Sequence, residues 1–274
     1  MPGIEFGSHL ILSPKELAFS ADDYSKFKYG DSSIGYKYGE ELFRNFLNAH
    51  GASISKHNKI LVFSSPFQFI PTASWTIAVK FYELMKAHFR DKEIVFSKIE
   101  RNVTYTEDYG NLSSEQRLAL ISNDTFSLNE TIDKNDLLIL IDDIKITGSH
   151  EMVVDKTFIN AKYHNPRFFL YHAILKNPDI SPNFENHLNY HFVKSPEQIL
   201  QVIKSEAFLL NTRITKHLLS LKQQDLFYIL ENTDETFIKN VIRNAVGNNY
   251  HLIDEYEANL NLLKEFLNSC VQSI

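Results

Sequence analysis

Residues 137–151 read LLILIDDIKITGSHE. Five consecutive apolar residues, Leu137 to Ile141, make a run of strand length with no polar face, the pattern of a strand buried inside a parallel sheet. Two acids, Asp142 and Asp143, follow at once. Behind them comes Thr147-Gly148-Ser149, where glycine gives the backbone the freedom to turn. Open α/β sheets bind ligands beyond the carboxyl ends of their strands, where these acids stand. Residues 145–149 then read as the turn before a helix, with hydroxyls and backbone N–H groups suited to a phosphate monoester. Carboxylates beside such a cradle suit a ligand with a phosphate at one end and vicinal hydroxyls at the other, the shape of a ribose 5-phosphate.

Working outward, the same alternation of strand and helix recurs. Apolar runs at 60–63, at EIVFSKI (93–99) and at RFFLYHAIL (167–175) predict strands, and Ser64, Ser65 and Pro66 stop the first of them. Helical spacing of Tyr38, Leu42, Phe43 and Phe46 predicts a helix over 35–50, and Ile77, Ala78, Phe81, Tyr82, Leu84 and Met85 predict another over 72–89. The fold class expected is α/β with a parallel sheet flanked by helices. Residues 101–130 are polar and too long for an ordinary connection, which predicts a functional lid carrying one short helix near 114–121.

From residue 195 the pattern is helical alone. Ser195 reads as an N-cap with Pro196 at the first position and Gln198 closing a capping box, ahead of the stripe Ile199, Leu200, Ile203. ETFIKNVIRNAV and NLNLLKEFL continue the theme. The predicted organisation is an α/β core over 1–195 and an α-helical C-terminal extension over 196–274 packed upon it.

The chain has 274 residues, 43% hydrophobic and 23% charged, with a formal net charge of -6. No global basic field favours nucleic acid. A single cysteine, Cys270, excludes an internal disulfide and a multi-cysteine metal site. The start has an acid at Glu5 and no basic region, so no signal peptide is expected, and no apolar stretch is long enough to span a bilayer. A cytoplasmic protein without membrane contact is the expectation.

ILIDDIKITGS, residues 139–149, resembles the signature of the type I phosphoribosyltransferases: four apolar residues, two acids, a short variable stretch, then Thr-Gly and a small residue. The resemblance implies that Asp142 and Asp143 hold the ribose hydroxyls of phosphoribosyl pyrophosphate (PRPP). Lys145, Ile146, Thr147, Gly148 and Ser149 would wrap its 5-phosphate, and His150 stands where the family commonly has threonine. It places a pyrophosphate loop at Ser64, Ser65, Pro66, Phe67 and Gln68, without the loop's usual basic residue, so that positive charge must come from elsewhere. It places a hood over 101–130 and makes Arg101 and Arg117 the closing cations. Phe67, Tyr105 and Tyr109 are its candidates for stacking on a base. The activity implied is Mg²⁺-dependent transfer of ribose 5-phosphate from PRPP to a nucleobase-like acceptor, with Mg²⁺ held mainly through PRPP near Asp142 and Asp143, in a homodimer. FKYGD (27–31), EDYG (107–110) and the signature together look like an orphan bacterial branch associated with tellurite-resistance and stress gene clusters. The resemblance covers about residues 20–195.

Competing readings exist for each feature. Acids and a Thr-Gly pair also end ordinary strands. A non-catalytic sensor of PRPP or nucleotide would use the same pocket, and an interaction scaffold would use the C-terminal helices. Lys28 and Asp31 have two readings, approach to the site and surface charges before the first helix, of which the second is preferred. His150 and Glu151 open like a zinc-protease helix, but position 154 is Val, which excludes that site. His187 and His191 share helical spacing, yet HLNYHFV leads into a strand-like run and argues against a metal pair.

Overall fold

The computed structural model describes residues 3–101, 126–128 and 130–272. Its strands are β1 (Ile4–Ile11), β2 (Lys59–Ser64), β3 (Glu93–Ser97), β4 (Ile99–Arg101), β5 (Phe126–Leu128), β6 (Leu137–Lys145) and β7 (Arg167–Leu175). Five of them form one sheet in the order β1-β7-β6-β2-β3, every pair parallel. The chain crosses outward from β2 to β3, then returns to the other side of β2 to lay down β6 and β7. The order therefore reverses between β2 and β6, which is where a sheet of this kind opens a crevice.

Helices α1 (Ala21–Lys28), α2 (Ser32–Ile54) and α3 (Ser74–His88) cover one face, and α4 (Ser149–Asn160) covers the other. Local chemistry explains their starts: Ser20 accepts from the Asp23 N–H, and Asp31 accepts from the Ser33 N–H at the head of α2. Leu42, Phe43 and Phe46 on α2 pack with Phe81 and Met85 of α3 and with Ile139 and Ile141 of β6. The opposite core gathers Leu138 and Leu140 of β6 with Val154 and Phe158 of α4 and Phe169 and Tyr171 of β7. Alternate residues of β6 thus feed alternate layers, as the pleat requires.

Beyond the sheet come α5 (Phe184–Asn189), α6 (Pro196–Ile203), α7 (Thr212–Ser220), α8 (Gln223–Glu231), α9 (Glu235–Gly247), a 3₁₀ turn (Tyr250–Leu252) and α10 (Asp254–Gln272). α5 buries Phe184 and Leu188 in the core under α1–α3, whereas the helices from α6 onward share a third buried cluster, which takes in Tyr29 and Ile70 from the N-terminal part. The Leu209 N–H donates to the Gly30 carbonyl, the Ser32 N–H to the Ala207 carbonyl, and the Thr212 N–H to the Pro71 carbonyl. Gly30 has φ +115°, and a Cβ there would stand 2.7 Å from the Leu209 carbonyl oxygen. No helix among the described residues is long and apolar enough to cross a membrane.

Several expectations change. EIVFSKI is two strands, because β3 ends at Ser97 and β4 turns away to pair antiparallel with β5. The strand-like run after His187 is no strand: α5 ends at Asn189, and the Val193 N–H donates to the Ser25 hydroxyl of α1. Ser195 makes no capping bond to the backbone, and Gln198 reaches one residue further back, accepting from the Lys194 N–H at 2.8 Å. β6 does not stop at the acids but runs through them to Lys145. The predicted helix at 114–121 lies outside the described residues.

Candidate active site

β2 pairs with β6 only as far as Ser64 opposite Ile141, whereas β7 stays beside β6 to Lys145. One flank of β6 is therefore open from Asp142 onward, and a cleft forms there. Ser64, Ser65 and Pro66 wall one side, Asp142, His150 and Glu151 another, and Leu140, Val154, Phe169 and Tyr171 give it an apolar floor.

The two adjacent acids face opposite layers, since neighbouring strand residues alternate. Asp142 lies in the cleft. Its Oδ2 is 3.0 Å from His150 Nδ1 and its Oδ1 accepts from the Asp143 N–H at 2.9 Å. Burial alone would raise the Asp142 carboxyl, but the His150 hydrogen bond and charge, with hydrogen bonds to Asp143 and Ser65, outweigh it and hold the group well below the usual carboxylate range. Asp143 turns toward α1, where its Oδ2 accepts from the Tyr24 hydroxyl at 2.7 Å and from the Lys28 ammonium at 2.5 Å. Burial and the neighbouring Asp142 charge raise Asp143 to about 6 against the pull of Lys28. Lys28, which the sequence reading left on the surface, is held here, and Asn211 of the C-terminal helices donates to its carbonyl. Asp31 caps α2.

The turn after β6 has the predicted form. Gly148 sits at φ +75° as the residue before α4, and Thr147 and Ser149 share a 2.9 Å hydroxyl contact. With Ile146, these residues carry the chain across the mouth of the sheet, and the first-turn N–H groups of α4 follow. Lys145 is committed elsewhere, its ammonium 2.7 Å from both Glu5 and Glu151. The Tyr171 hydroxyl donates to the same Glu151 oxygen at 2.6 Å. Lys145 holds Glu5 below the usual carboxylate range, and burial beside Glu151 pushes the Tyr171 phenol well up.

The loop after β2 is braced from three sides. The Ser74 hydroxyl donates to the Ser65 hydroxyl at 2.9 Å, and Phe67 joins β4 through its own N–H to Ile99 and the Arg101 N–H to its carbonyl. Asn248 of the C-terminal helices accepts from both the Phe69 and Ile70 N–H groups at 2.9 Å. Positive charge does reach the loop: Lys98 donates to the Gln68 carbonyl and lies 4.4 Å from the Phe67 ring centroid, paired with Glu100 at 2.6 Å. Sequence reasoning missed Lys98 because it follows β3, thirty residues on, and only the turn into β4 brings it back. Arg101 ends β4, and its charge is felt by Tyr250 of the C-terminal part, whose phenol burial pushes up to about 12. Arg117, Tyr105 and Tyr109 lie outside the described residues.

Residues 5–263 match the model of the PRTase ComF-like family. The chain belongs to that family. A ComF-like phosphoribosyltransferase fold accounts for the parallel five-strand sheet, its flanking helices and the acid-Thr-Gly turn at its switch point. Two crystal forms of a hypoxanthine phosphoribosyltransferase from Staphylococcus aureus are similar to this ComF-like chain. The orthorhombic form is 12% identical, covers 61% of this chain and 80% of its own, and has a TM-score of 0.31. The tetragonal form is 13% identical, with 51% and 75% covered and a TM-score of 0.29. No curated protein matches the ComF-like chain.

Proposed function

We propose that the chain transfers ribose 5-phosphate from PRPP to a nitrogenous, nucleobase-like acceptor and releases pyrophosphate. One observation carries the reading: the strand-acid-Thr-Gly-Ser element stands at the switch point of the sheet with the Asp142 carboxylate turned into the cleft beside Ser65. In this reading the Gly148 turn and the first N–H groups of α4 bind the 5-phosphate, aided by Thr147 and Ser149. Asp142 accepts from a ribose hydroxyl and stays ionised, which also favours positive charge developing at the anomeric carbon. His150 fixes that carboxylate. The loop after β2 binds pyrophosphate through backbone N–H groups, with Lys98 as a cation held against the loop.

Mg²⁺ fits this donor set as an ion carried by the substrate: it is a hard cation that takes one or two carboxylates and completes its shell with phosphate oxygens and water. Of the two carboxylates that line the cleft, Glu151 is held by Lys145 and Tyr171, which leaves Asp142 for the ion, and the ion would neutralise charge on the departing pyrophosphate. Asp143 acts through position, since its oxygen is taken by Lys28 and Tyr24.

A second reading, a sensor that binds PRPP without turnover, draws on the commitment of Lys145 to Glu5 and Glu151, which removes one cation from the phosphate turn. Pyrophosphate release separates the two. The protein with PRPP, Mg²⁺ and a panel of purine and pyrimidine bases should release pyrophosphate with at least one of them and form the matching nucleotide. Tight PRPP binding with no release across the panel supports the sensor.

A further inference from the structure

On the face of the sheet that carries α2, away from the cleft, His9 of β1, Glu41 of α2 and His172 of β7 converge. His9 Nε2 is 3.1 Å from Glu41 Oε1, and His172 Nδ1 is 4.0 Å from Glu41 Oε2. One donor atom from each lies within 4.8 Å of the others. His172 is 0% exposed, and neither ring nitrogen has a hydrogen-bond partner among the described residues. Its ring stacks on Tyr38 at 3.7 Å, and the Tyr38 hydroxyl is unpartnered too. Buried polar atoms are nearly always satisfied, so the two unpartnered nitrogens of His172 facing Glu41 and His9 mark the place of a polar occupant.

We propose that His9, Glu41 and His172 bind one divalent transition-metal ion, Zn²⁺ by preference. Two imidazoles and a carboxylate are a zinc donor set that leaves the fourth position to water. Mg²⁺ and Ca²⁺ demand oxygen donors and suit it poorly. Tetrahedral Zn²⁺ with bonds of about 2.0–2.1 Å places its ligand atoms roughly 3.4 Å apart. The two histidines stand on the two oxygens of one carboxylate, His9 at 3.1 Å from Oε1 and His172 at 4.0 Å from Oε2, and all the donor atoms lie within 4.8 Å, so a small inward shift reaches that spacing. Glu41 has the freedom to close the difference, because its side chain is 39% exposed. The consequence is structural: β1 is an edge strand paired only to β7, and the ion would fasten it to β7 and α2 together. A lone water could satisfy one nitrogen but would not draw the three side chains onto a common centre.

The test uses the full chain, stripped with a chelator and titrated with ZnCl₂ by calorimetry and with CoCl₂ by visible absorption. Expected are one equivalent of Zn²⁺ bound with a Kd of about 1 μM or tighter, a four-coordinate Co²⁺ spectrum, and a higher melting temperature with metal. Glu41→Gln alters a ligand at the solvent edge without touching the rings around His172, whereas His9→Gln also removes the edge-on contact of 4.9 Å with His172; each should weaken Zn²⁺ at least about tenfold. His187→Ala with His191→Ala, which removes the histidine pair next to Asp22, should leave the affinity unchanged. Failure of the folded wild type to bind stoichiometrically overturns the proposal. So does equal binding by His9→Gln and Glu41→Gln, or loss confined to the His187 and His191 variant.

Discussion

Lys28 and Asp143, 115 residues apart, form an ion pair of 2.5 Å with side chains only 13% and 9% exposed. It locks the end of α1 to the signature strand beside the Asp142 carboxylate. Removing one partner strands the other charge in a poor dielectric, which costs about 3–5 kcal/mol. Lys28→Met and Asp143→Asn should each lower unfolding free energy by an amount of that order in urea titrations, and the double variant should lose less than the sum. Additive losses would mean that the pair does not act as a unit.

The pH dependence follows from the same carboxyl. Asp143 has a folded value raised to about 6 from an ordinary 3.8, so between those values the folded chain holds a proton that the unfolded chain releases. Its contribution is present below 3.8 and is lost as pH rises through about 6. Asp142 is shifted downward, so its contribution is present above the ordinary value of 3.8 and is lost as pH falls below it. Unfolding free energy measured from pH 4 to 7 should show a falling component in the wild type that Asp143→Asn lacks. Equal slopes would contradict the assignment.

Asn248 joins the C-terminal helices to the candidate pyrophosphate loop. Asn248→Ala would leave the Phe69 and Ile70 N–H groups without their acceptor, a penalty of about 1–3 kcal/mol for a buried donor. Thermal unfolding should register that loss. Substrate binding should weaken as well, because the loop then loses the brace on its far side.

Two glycines separate stability from binding. Gly30→Ala drives a Cβ to within 2.7 Å of a backbone carbonyl, whereas at Gly148 the nearest atom is the Lys145 side-chain Cε at 2.9 Å. Both positions have positive φ, which costs an L-residue about 1–2 kcal/mol. Gly30→Ala should therefore be the more destabilising. Gly148→Ala should remain folded, with a melting temperature lowered by less than in Gly30→Ala, and lose phosphate affinity. The opposite ranking would place the strain wrongly.

Much of this fold was legible because parallel strands are apolar on both faces: 60–63, 137–141 and 167–175 announce themselves, as do the stripes of α2 and α3. β1 was not legible, because Glu5 and the Gly7-Ser8-His9 stretch interrupt the apolar residues of IEFGSHLI, which takes its strand form from its β7 partner. The turn at Gly148 could be placed from its motif. Facing was legible in principle, since two adjacent residues of one strand must diverge, yet the motif suggested a joint role for Asp142 and Asp143. Lys98 was illegible, and Lys28 was ranked wrongly between site and surface, for another reason: each reaches the site across a fold-determined distance, from the β3–β4 bend in one case and from α1 in the other. His150 was a departure from a motif in sequence; in space it is the partner of Asp142.

The central claim is that the cleft beside Asp142 binds PRPP. Calorimetric titration of PRPP, with and without Mg²⁺, into the wild type, Asp142→Asn and the double Asp142→Asn, Asp143→Asn variant tests it most directly. The account predicts Mg²⁺-dependent binding with a Kd of about 1 μM–1 mM, lost at least about tenfold in Asp142→Asn, a variant that stays folded but melts lower than the wild type because it forgoes the stabilising His150 contact. Absence of binding by folded wild type, or equal binding by Asp142→Asn, would contradict it.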